Sequence, residues 1–227
     1  MRTIRPATTS DIPGIAQVCE AAFAEQIEPE VCRRQIADPT IDLHVAVEGN
    51  EVAGFVSAFA LDGAADNPWF VDSLAVRPQS QGRGYGRHLI ESTWTTARRH
   101  GFRMSCALIR ADNAPSQLCF AHCGYATDRR PHSLYIWPPQ SGAANSKTDP
   151  VRLLPVDTIT YRGLWIEGLA DASTEIQRRA VQQARAYCAR EGRGSSGALI
   201  TDPSRLDVAL LEQAELKGEY YWWTITL

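Results

Sequence analysis

A glycine-rich loop is the feature of this 227-residue chain that most clearly suggests chemistry. Gly82, Gly84 and Gly86 alternate within Gln81–Gly86, and an amphipathic helix is predicted from about Gly84 to His100. Glycines permit tight turns and place no Cβ over the backbone N–H groups. Successive amides and a helix N-terminus both carry partial positive charge, so the loop predicts a site for a phosphate or pyrophosphate.

Two familiar nucleotide-binding patterns do not fit this loop. A P-loop places Lys and then Ser or Thr after its last glycine, whereas Arg87 and His88 follow here. The Rossmann fingerprint requires a third glycine at position 87, which is arginine. Arg83 and Arg87 can add positive charge at the rim of the loop. The sequence therefore predicts an anion site of another kind.

Strands and helices alternate around the loop. The turn Glu48–Asn50 predicts a hairpin between two of the strands. This alternation predicts an α/β or α+β layer fold. Strands are expected at 3–5, 43–47, 52–60, 69–76, 104–110, 125–127 and 133–137, and helices at 11–23, 28–36, 84–100 and 114–123.

Four segments together resemble the GNAT superfamily of N-acetyltransferases. Gln81–Gly86 is similar to the family's Q/R-x-x-G-x-G/A loop, and Leu74–Pro78 to the L-x-V-x-P strand before it. Asn113–Tyr125 resembles a later helix, and Ile4–Thr8 the first strand. The segments follow the family's order across residues 1–137. The resemblance implies acetyl transfer from acetyl-CoA, and a mixed, mostly antiparallel sheet splayed between its fourth and fifth strands.

The same resemblance implies the residues that hold the coenzyme. The main chain of the fourth strand would contact the pantetheine arm, and amides of the loop would contact the pyrophosphate. The next helix would meet the pantetheine arm from its first turn. The residues implied are Leu74, Ala75, Val76, Gln81, Gly82, Arg83, Gly84, Tyr85, Gly86, Arg87, Asn113 and Phe120.

Acetyl transfer by direct attack needs a base for the amine and a hydrogen-bond donor for the developing oxyanion. We expect a main-chain N–H near Ala75 to be the donor. Asp72 shares strand parity with Leu74 and is the best-placed carboxylate for a base. An exposed strand aspartate bonded to a neighbour explains Asp72 equally well, so both interpretations stay open.

The family's usual general acid, a tyrosine, is replaced here by Phe120. A thiol of pKa about 8.5 leaves tolerably near neutral pH. Cys119, Tyr125 or water are the candidate substitutes. This departure makes a non-catalytic acyl-CoA-binding or regulatory module the rival hypothesis. An interaction protein with a vestigial site is the third.

Acidic residues near the expected acceptor cleft suggest a cationic substrate. Glu25, Glu28 and Glu30 lie in the region that borders this cleft in the family. As a solvated charged face they need no function, and we favour that interpretation. The pattern further hints at an acidic cleft with an aromatic edge, through Asp62, Asp66 and Trp69. The acceptor expected is a primary amine of a small molecule or a protein.

A Pro-, Gly- and Ser-rich stretch, 138–150, predicts a linker to a second region, 151–227. There the order strand, helix, strand, helix, strand repeats, with strands expected at 158–168, 198–201 and 220–227 and helices at 174–190 and 203–217. We interpret the region as a degenerate, non-catalytic half-copy of the first; chance similarity is the alternative. Its corresponding junction, Gly168–Thr174, lacks the three alternating glycines of the first loop, and Asp171 would repel a phosphate. The run Tyr220–Trp223 is expected to be buried.

Composition excludes several other classes of protein. A net charge of −3 gives no footprint for nucleic acid or for an anionic membrane. No apolar run approaches the roughly 20 residues of a membrane span, and no signal peptide is apparent. The six cysteines are expected to be reduced, with no metal site. We therefore expect a cytoplasmic enzyme and keep a homodimer as a hypothesis.

Overall fold

The computed structural model describes residues 2–24, 26–60, 68–142 and 147–227. Its elements agree in type with most of the predicted ones. The strands are β1 (Arg2–Pro6), β2 (Ile41–Glu48), β3 (Glu51–Ala60), β4 (Trp69–Val76), β5 (Met104–Arg110), β6 (Ala126–Thr127), β7 (His132–Trp137), β8 (Arg152–Asp157), β9 (Arg162–Glu167), β10 (Ser195–Ile200) and β11 (Glu215–Thr226). The helices are α1 (Ile12–Phe23), α2 (Pro29–Ala37), α3 (Tyr85–Arg99), α4 (Ala114–His122), α5 (Thr174–Arg190) and α6 (Val208–Glu212).

All of these strands belong to one mixed sheet. Its order is β1-β2-β3-β4-β5-β11-β7-β10-β9-β8, and β6 pairs with the end of β11. Neighbours are antiparallel except β4 with β5 and β9 with β10, which are parallel. The predicted mixed, mostly antiparallel α/β fold is confirmed.

Helices cover the two faces of the sheet unequally. On one face, α3 and α4 pack on the first half and α5 packs on the second. We call this the helical face. On the other face, α1 and α2 cover only the part formed by β2, β3 and β4. We call this the open face, because no described helix lies over β5, β11 or β7 there.

The last strand joins the two halves of the chain. β11 pairs with β5 along all of Met104–Arg110, and it also pairs with β7. β7, from the first region, pairs in turn with β10 of the second. The two halves therefore exchange strands: β11 of the second half pairs with β5 of the first, and β7 of the first half pairs with β10 of the second. The predicted boundaries at residues 137 and 151 divide the chain into two segments, but the strands of both segments belong to one sheet.

Two predictions for the second region were wrong. The strand expected at 158–168 is shorter and corresponds to β9. A further strand, β8, precedes it and was not predicted, because it contains Pro155, a residue that an edge strand tolerates. The helix expected at 203–217 is instead a short 3-10 turn followed by α6. The aspartates Asp202 and Asp207 each cap a new turn by accepting a backbone N–H, which divides the segment.

Two further predictions are confirmed, one in each region of the chain. α5 spans the predicted 174–190, and Gly49, at φ 64°, lies in the turn between β2 and β3. Within the described residues, no helix is both long enough and apolar enough to cross a membrane. The expected burial of Tyr220–Trp223 holds for Trp223, which is 7% exposed, while the three residues before it are half-buried.

Neighbouring tryptophans on β11 give a test of this arrangement. Trp223 packs on the helical face with Trp69 and Phe120, whereas the half-buried Trp222 points to the open face. Trp223→Ala should lower the free energy of unfolding by about 3–5 kcal/mol, because it leaves a cavity in the shared core. Urea denaturation measures the loss. Trp222→Ala is the matched control, and an equal loss in both variants would contradict the assignment of faces.

Candidate active site

The splay between β4 and β5 forms the floor of the candidate site. The two parallel strands pair only where Trp69–Val71 faces Ser105–Ala107. Beyond that point β4 continues to Val76 beside β3, and β5 continues beside β11. The edge of β4 that faces β5 therefore has main-chain groups without a strand partner over its second half. An extended ligand containing amides can bind such an edge.

The direction of each main-chain group follows from one hydrogen bond. Arg77 N donates to Ala53 O of β3 at 2.9 Å. Main-chain groups alternate along a strand, so those of Ala75 also point to β3, and those of Leu74 and Val76 point into the splay. The Val76 carbonyl accepts a bond from Gln81 Nε2 at 3.1 Å. The donor expected near Ala75 is thus Leu74 N–H by geometry.

The glycine-rich loop leads from the splay into α3. Gly82 and Gly84 have φ angles of 71° and 84°, a left-handed conformation that side chains disfavour. Gly84 is the N-cap of α3, and no side chain caps the helix. The first amides of a helix have no partner within it. Those of Gly86 and Arg87 therefore remain available, next to the splay, for an anion.

Close packing explains the third glycine. A Cβ at position 86 would lie 3.0 Å from Cys119 Sγ of α4, so any side chain there would require the Cys119 side chain to shift. The Tyr85 side chain is 2% exposed in the helical-face core. Tyr85 can therefore offer a ligand only its amide. Phe120 is likewise buried, at 3% exposure.

Two arginines at the rim of the loop lie in ion pairs. Arg83 contacts Glu48 at 2.8 Å, which ties the loop to the end of β2. Arg87 contacts Glu91 at 2.7 Å, one turn further along α3. Both guanidinium groups are largely exposed, so these pairs are weak and can exchange for a phosphate.

Asn113 begins α4 on the other side of the splay. Its Oδ1 accepts the backbone N–H of Ser116 at 3.1 Å, which caps the helix. The residue is exposed, and this bond orients the side chain with its Nδ2 group free to donate. The position suits a contact with an amide carbonyl of an extended ligand.

The candidates for a general acid have different surroundings. Tyr125 is buried and bonded to Ser105 Oγ at 2.8 Å and Trp94 Nε1 at 3.2 Å. Burial raises the pKa of Tyr125 to about 12. Cys119 is half-buried, and a hydrogen bond from Cys123 lowers the pKa of its thiol. Tyr125 is thus a core hydroxyl, and Cys119 has the more accessible titratable group.

Asp72 occupies a β-bulge. Ser57 pairs with Ser73 and Ala58 pairs with Val71, so Asp72 is an additional residue between them. Parity breaks at a bulge, and the expectation that Asp72 and Leu74 share a side was wrong. Leu74 packs toward the helical face, whereas Asp72 accepts a bond from Ser73 Oγ at 2.7 Å on the open face.

The turn between β8 and β9 completes the surroundings of Asp72. Thr158 donates a side-chain hydrogen bond to the carboxylate, and Thr160 Oγ1 lies 3.4 Å from Ser73 Oγ. Burial raises the pKa of Asp72 above its ordinary value, more than these hydroxyl donors lower it. No sequence pattern indicates a role for Thr158, because it lies in the other half of the chain.

Of the remaining acidic candidates, the structure describes Glu28 and Glu30. Glu25, Asp62 and Asp66 lie outside the described residues. Glu28 is exposed at the start of α2, and Glu30 pairs with Arg33 at 3.0 Å. Trp69 was expected at the cleft edge, but it is 3% exposed and packs against Phe102 on the helical face.

The second strand-to-helix junction has the same topology and a different filling. β9 and β10 pair only over three residues and then part. Leu169 follows β9, is 1% exposed and packs against Ile200 in the core beneath α5. Asp171 forms an ion pair with Arg205 at 2.9 Å. The Leu169 side chain therefore fills this junction, whereas the first junction is open.

Comparison with known proteins agrees with this geometry. A GCN5-related N-acetyltransferase from Sphaerobacter thermophilus superposes with a TM-score of 0.60 at 15% identity, covering 99% of this chain and 95% of that one. The yncA acetyltransferase of Salmonella typhimurium, solved with acetyl-CoA, gives 0.50 at 22% identity over 64% and 88%. Arabidopsis thaliana NAA60, solved with a bisubstrate analogue, gives 0.50 at 20% over 58% and 88%. No curated protein matches in sequence.

A splayed parallel pair beside an uncapped, glycine-rich helix N-terminus defines an acyl-CoA-binding fold. Residues 13–125 match the model of the acetyltransferase (GNAT) family. The chain is therefore an acetyltransferase of the GNAT family, with acetyl-CoA as its co-substrate. In the described parts of the chain, no group of His, Cys, Asp or Glu side chains is arranged to hold a metal ion.

The two junctions provide a matched test of coenzyme binding. Gly84→Glu should abolish the stabilisation by acetyl-CoA in thermal unfolding, because it adds a carboxylate and a side chain where the pyrophosphate would lie. Gly168→Glu is the control, since Gly168 has a similar φ of 73° at the other junction. It should bear similar strain and keep the full acetyl-CoA shift. Unchanged acetyl-CoA affinity in Gly84→Glu would refute the role of the loop.

Proposed function

We propose that this chain transfers the acetyl group of acetyl-CoA to a primary amine, with Asp72 as the general base. One observation carries the proposal: the splay opens on the helical face beside uncapped amides, while Asp72 lies on the open face at the same strand. The thioester and the amine can therefore reach the reacting centre from opposite sides of the sheet. The amine belongs to a small molecule or to a protein.

The coenzyme would lie along the splay. Leu74 and Val76 main-chain groups would bond the pantetheine amides, and Asn113 Nδ2 would contact the same arm from α4. Amides from Gly82 to Arg87 would hold the pyrophosphate, aided by the partial positive charge at the start of α3. The loop arginines would add charge at the rim.

The reaction follows from these positions. Asp72 accepts a proton from the ammonium, and the neutral nitrogen attacks the thioester carbonyl. The carbonyl oxygen becomes negative and is stabilised by Leu74 N–H. The nitrogen then releases its second proton to solvent and the C–S bond breaks, giving an amide and the coenzyme thiolate, which takes a proton from water or from Cys119. Phe120 supplies no proton.

The rival is a module that binds acetyl-CoA without turning it over, and the residue in its favour is Phe120. The buried carboxylate on the open face of the strand that lines the splay favours turnover instead, because a binding module has no use for it. Incubation with acetyl-CoA and a panel of amines separates the two, with released thiol as the readout. Coenzyme binding without turnover on any amine would support the rival.

The second region would be a degenerate, non-catalytic half-copy of the first. Its support is the repeated order of elements and the repeated parallel pair that parts after three residues. Leu169 in its core and Asp171 at its surface both oppose a bound pyrophosphate. We also place the enzyme in the cytoplasm, since the six cysteines are free. A homodimer is to be tested by light scattering.

Asp72→Asn tests the base through pH. The wild-type kcat/KM should rise with pH through a pKa above the ordinary aspartate value. The variant should lose that limb and about 10²–10⁴-fold in rate. Measurements at saturating acetyl-CoA across a pH series decide this. A variant with the wild-type profile would exclude Asp72 as the base.

The same substitution, Asp72→Asn, should increase stability at high pH, whereas it lowers activity. Burial raises the folded-state pKa, so the folded protein binds this proton more tightly than the unfolded chain does. The contribution of Asp72 to stability is then present below its unfolded pKa and lost as pH rises through the folded pKa. The variant should gain stability relative to wild type as pH rises, and thermal unfolding measures that gain.

A further inference from the structure

We propose that the open face between β4, β11 and the β8–β9 turn is the acceptor site, and that it takes a small primary amine on an aromatic or branched apolar body. This rests on the proposed acetyl transfer and names its substrate class. Three observations carry it: a row of partly exposed rings, a carboxylate beside them and a small cavity that both halves of the chain line.

The rings come from three different strands. The Phe59 and Phe70 ring centroids are 5.3 Å apart, and Phe70 meets Trp222 edge-on at 5.9 Å. All three side chains are half-buried, so each keeps an exposed surface. Exposed apolar groups scattered singly need no explanation, but contiguous ones mark binding surfaces. The row offers an apolar body a surface on which to stack.

A carboxylate stands next to the row. Asp72 follows Phe70 by two residues and lies on the same face by strand alternation, before the bulge moves Leu74 to the other face. Its described hydrogen-bond donors are the hydroxyls of Ser73 and Thr158, and no cation among the described residues neutralises it. An amine nitrogen is the group that satisfies such a carboxylate, while the rings receive the carbon skeleton.

A cavity of about 200 Å³ lies beside this place. Its lining includes Phe59 of the ring row, Thr158, whose hydroxyl bonds Asp72, and Leu154 of β8, but neither Asp72 nor Trp222. The second half is held over the first here, because Gln35 of α2 donates to Asp157 O at 2.8 Å. Both halves of the chain therefore enclose the space beside the rings, which favours a small amine over a segment of a folded protein.

The test compares acceptors of different chemistry. We expect kcat/KM to be at least about tenfold higher for phenylethylamine and isopentylamine than for spermidine or a short peptide with a free N-terminus, a factor of the size that one buried ring contributes. Trp222→Ala should raise KM for phenylethylamine about tenfold and leave KM for acetyl-CoA unchanged. Trp222→Phe should restore most of the loss.

The control is Tyr187→Ala. Tyr187 is a half-buried ring on α5, beneath Arg190 and outside the open face. Its replacement should leave both KM values unchanged. Acetylation of peptides or spermidine in preference to the apolar amines would overturn the substrate class and keep the acetyl transfer. No released thiol with any amine would instead overturn the transfer itself. An unchanged KM in Trp222→Ala would remove the rings from the acceptor site.

Discussion

The parting of β4 from β5 is the constraint on which the rest of this structure depends. A parallel strand that leaves its neighbour loses hydrogen bonds, and buried main-chain groups must find other partners. β5 remains bonded because β11 pairs along its other edge, and β4 remains bonded to β3. Only the facing edges in between are released. The last strand of the chain thus makes it possible for the middle of the sheet to hold a ligand.

The bulge at Asp72 gives this opening two sides with different chemistry. Leu74 and the loop after β4 serve the helical face, where α3 presents its amides. Because of one additional residue, Asp72 lies on the open face while Leu74 lies on the helical face, and Thr158 reaches the Asp72 carboxylate from the β8–β9 turn. The positive potential of a helix N-terminus and a carboxylate of raised pKa are therefore separated by a single strand. A base placed among the loop amides would instead be held ionised and would be a poor proton acceptor.

The local part of this site could be predicted from the sequence and the non-local part could not. Gly82 and Gly84 require positive φ, and the helix after them follows from its periodicity, so short-range rules suffice. The side of Asp72 depends on the pairing with β3, and pairing registers are not visible in one strand's own pattern. The exchange of β7 and β11 is less visible still, because a strand's choice of neighbour depends on the whole sheet.

The two parallel pairs show what distinguishes an open strand-to-helix junction from a filled one. Both part after three residues and both are followed by a turn with a left-handed glycine and then a helix. At the second pair, Leu169 follows the left-handed glycine Gly168, and the Leu169 side chain fills the space beneath α5. Removing that side chain would leave a dry apolar cavity and no anion site, since Asp171 stands where the first loop has open amides. The fold alone creates the opening, and in the proposed binding mode the glycines at 82, 84 and 86 keep it free for the coenzyme.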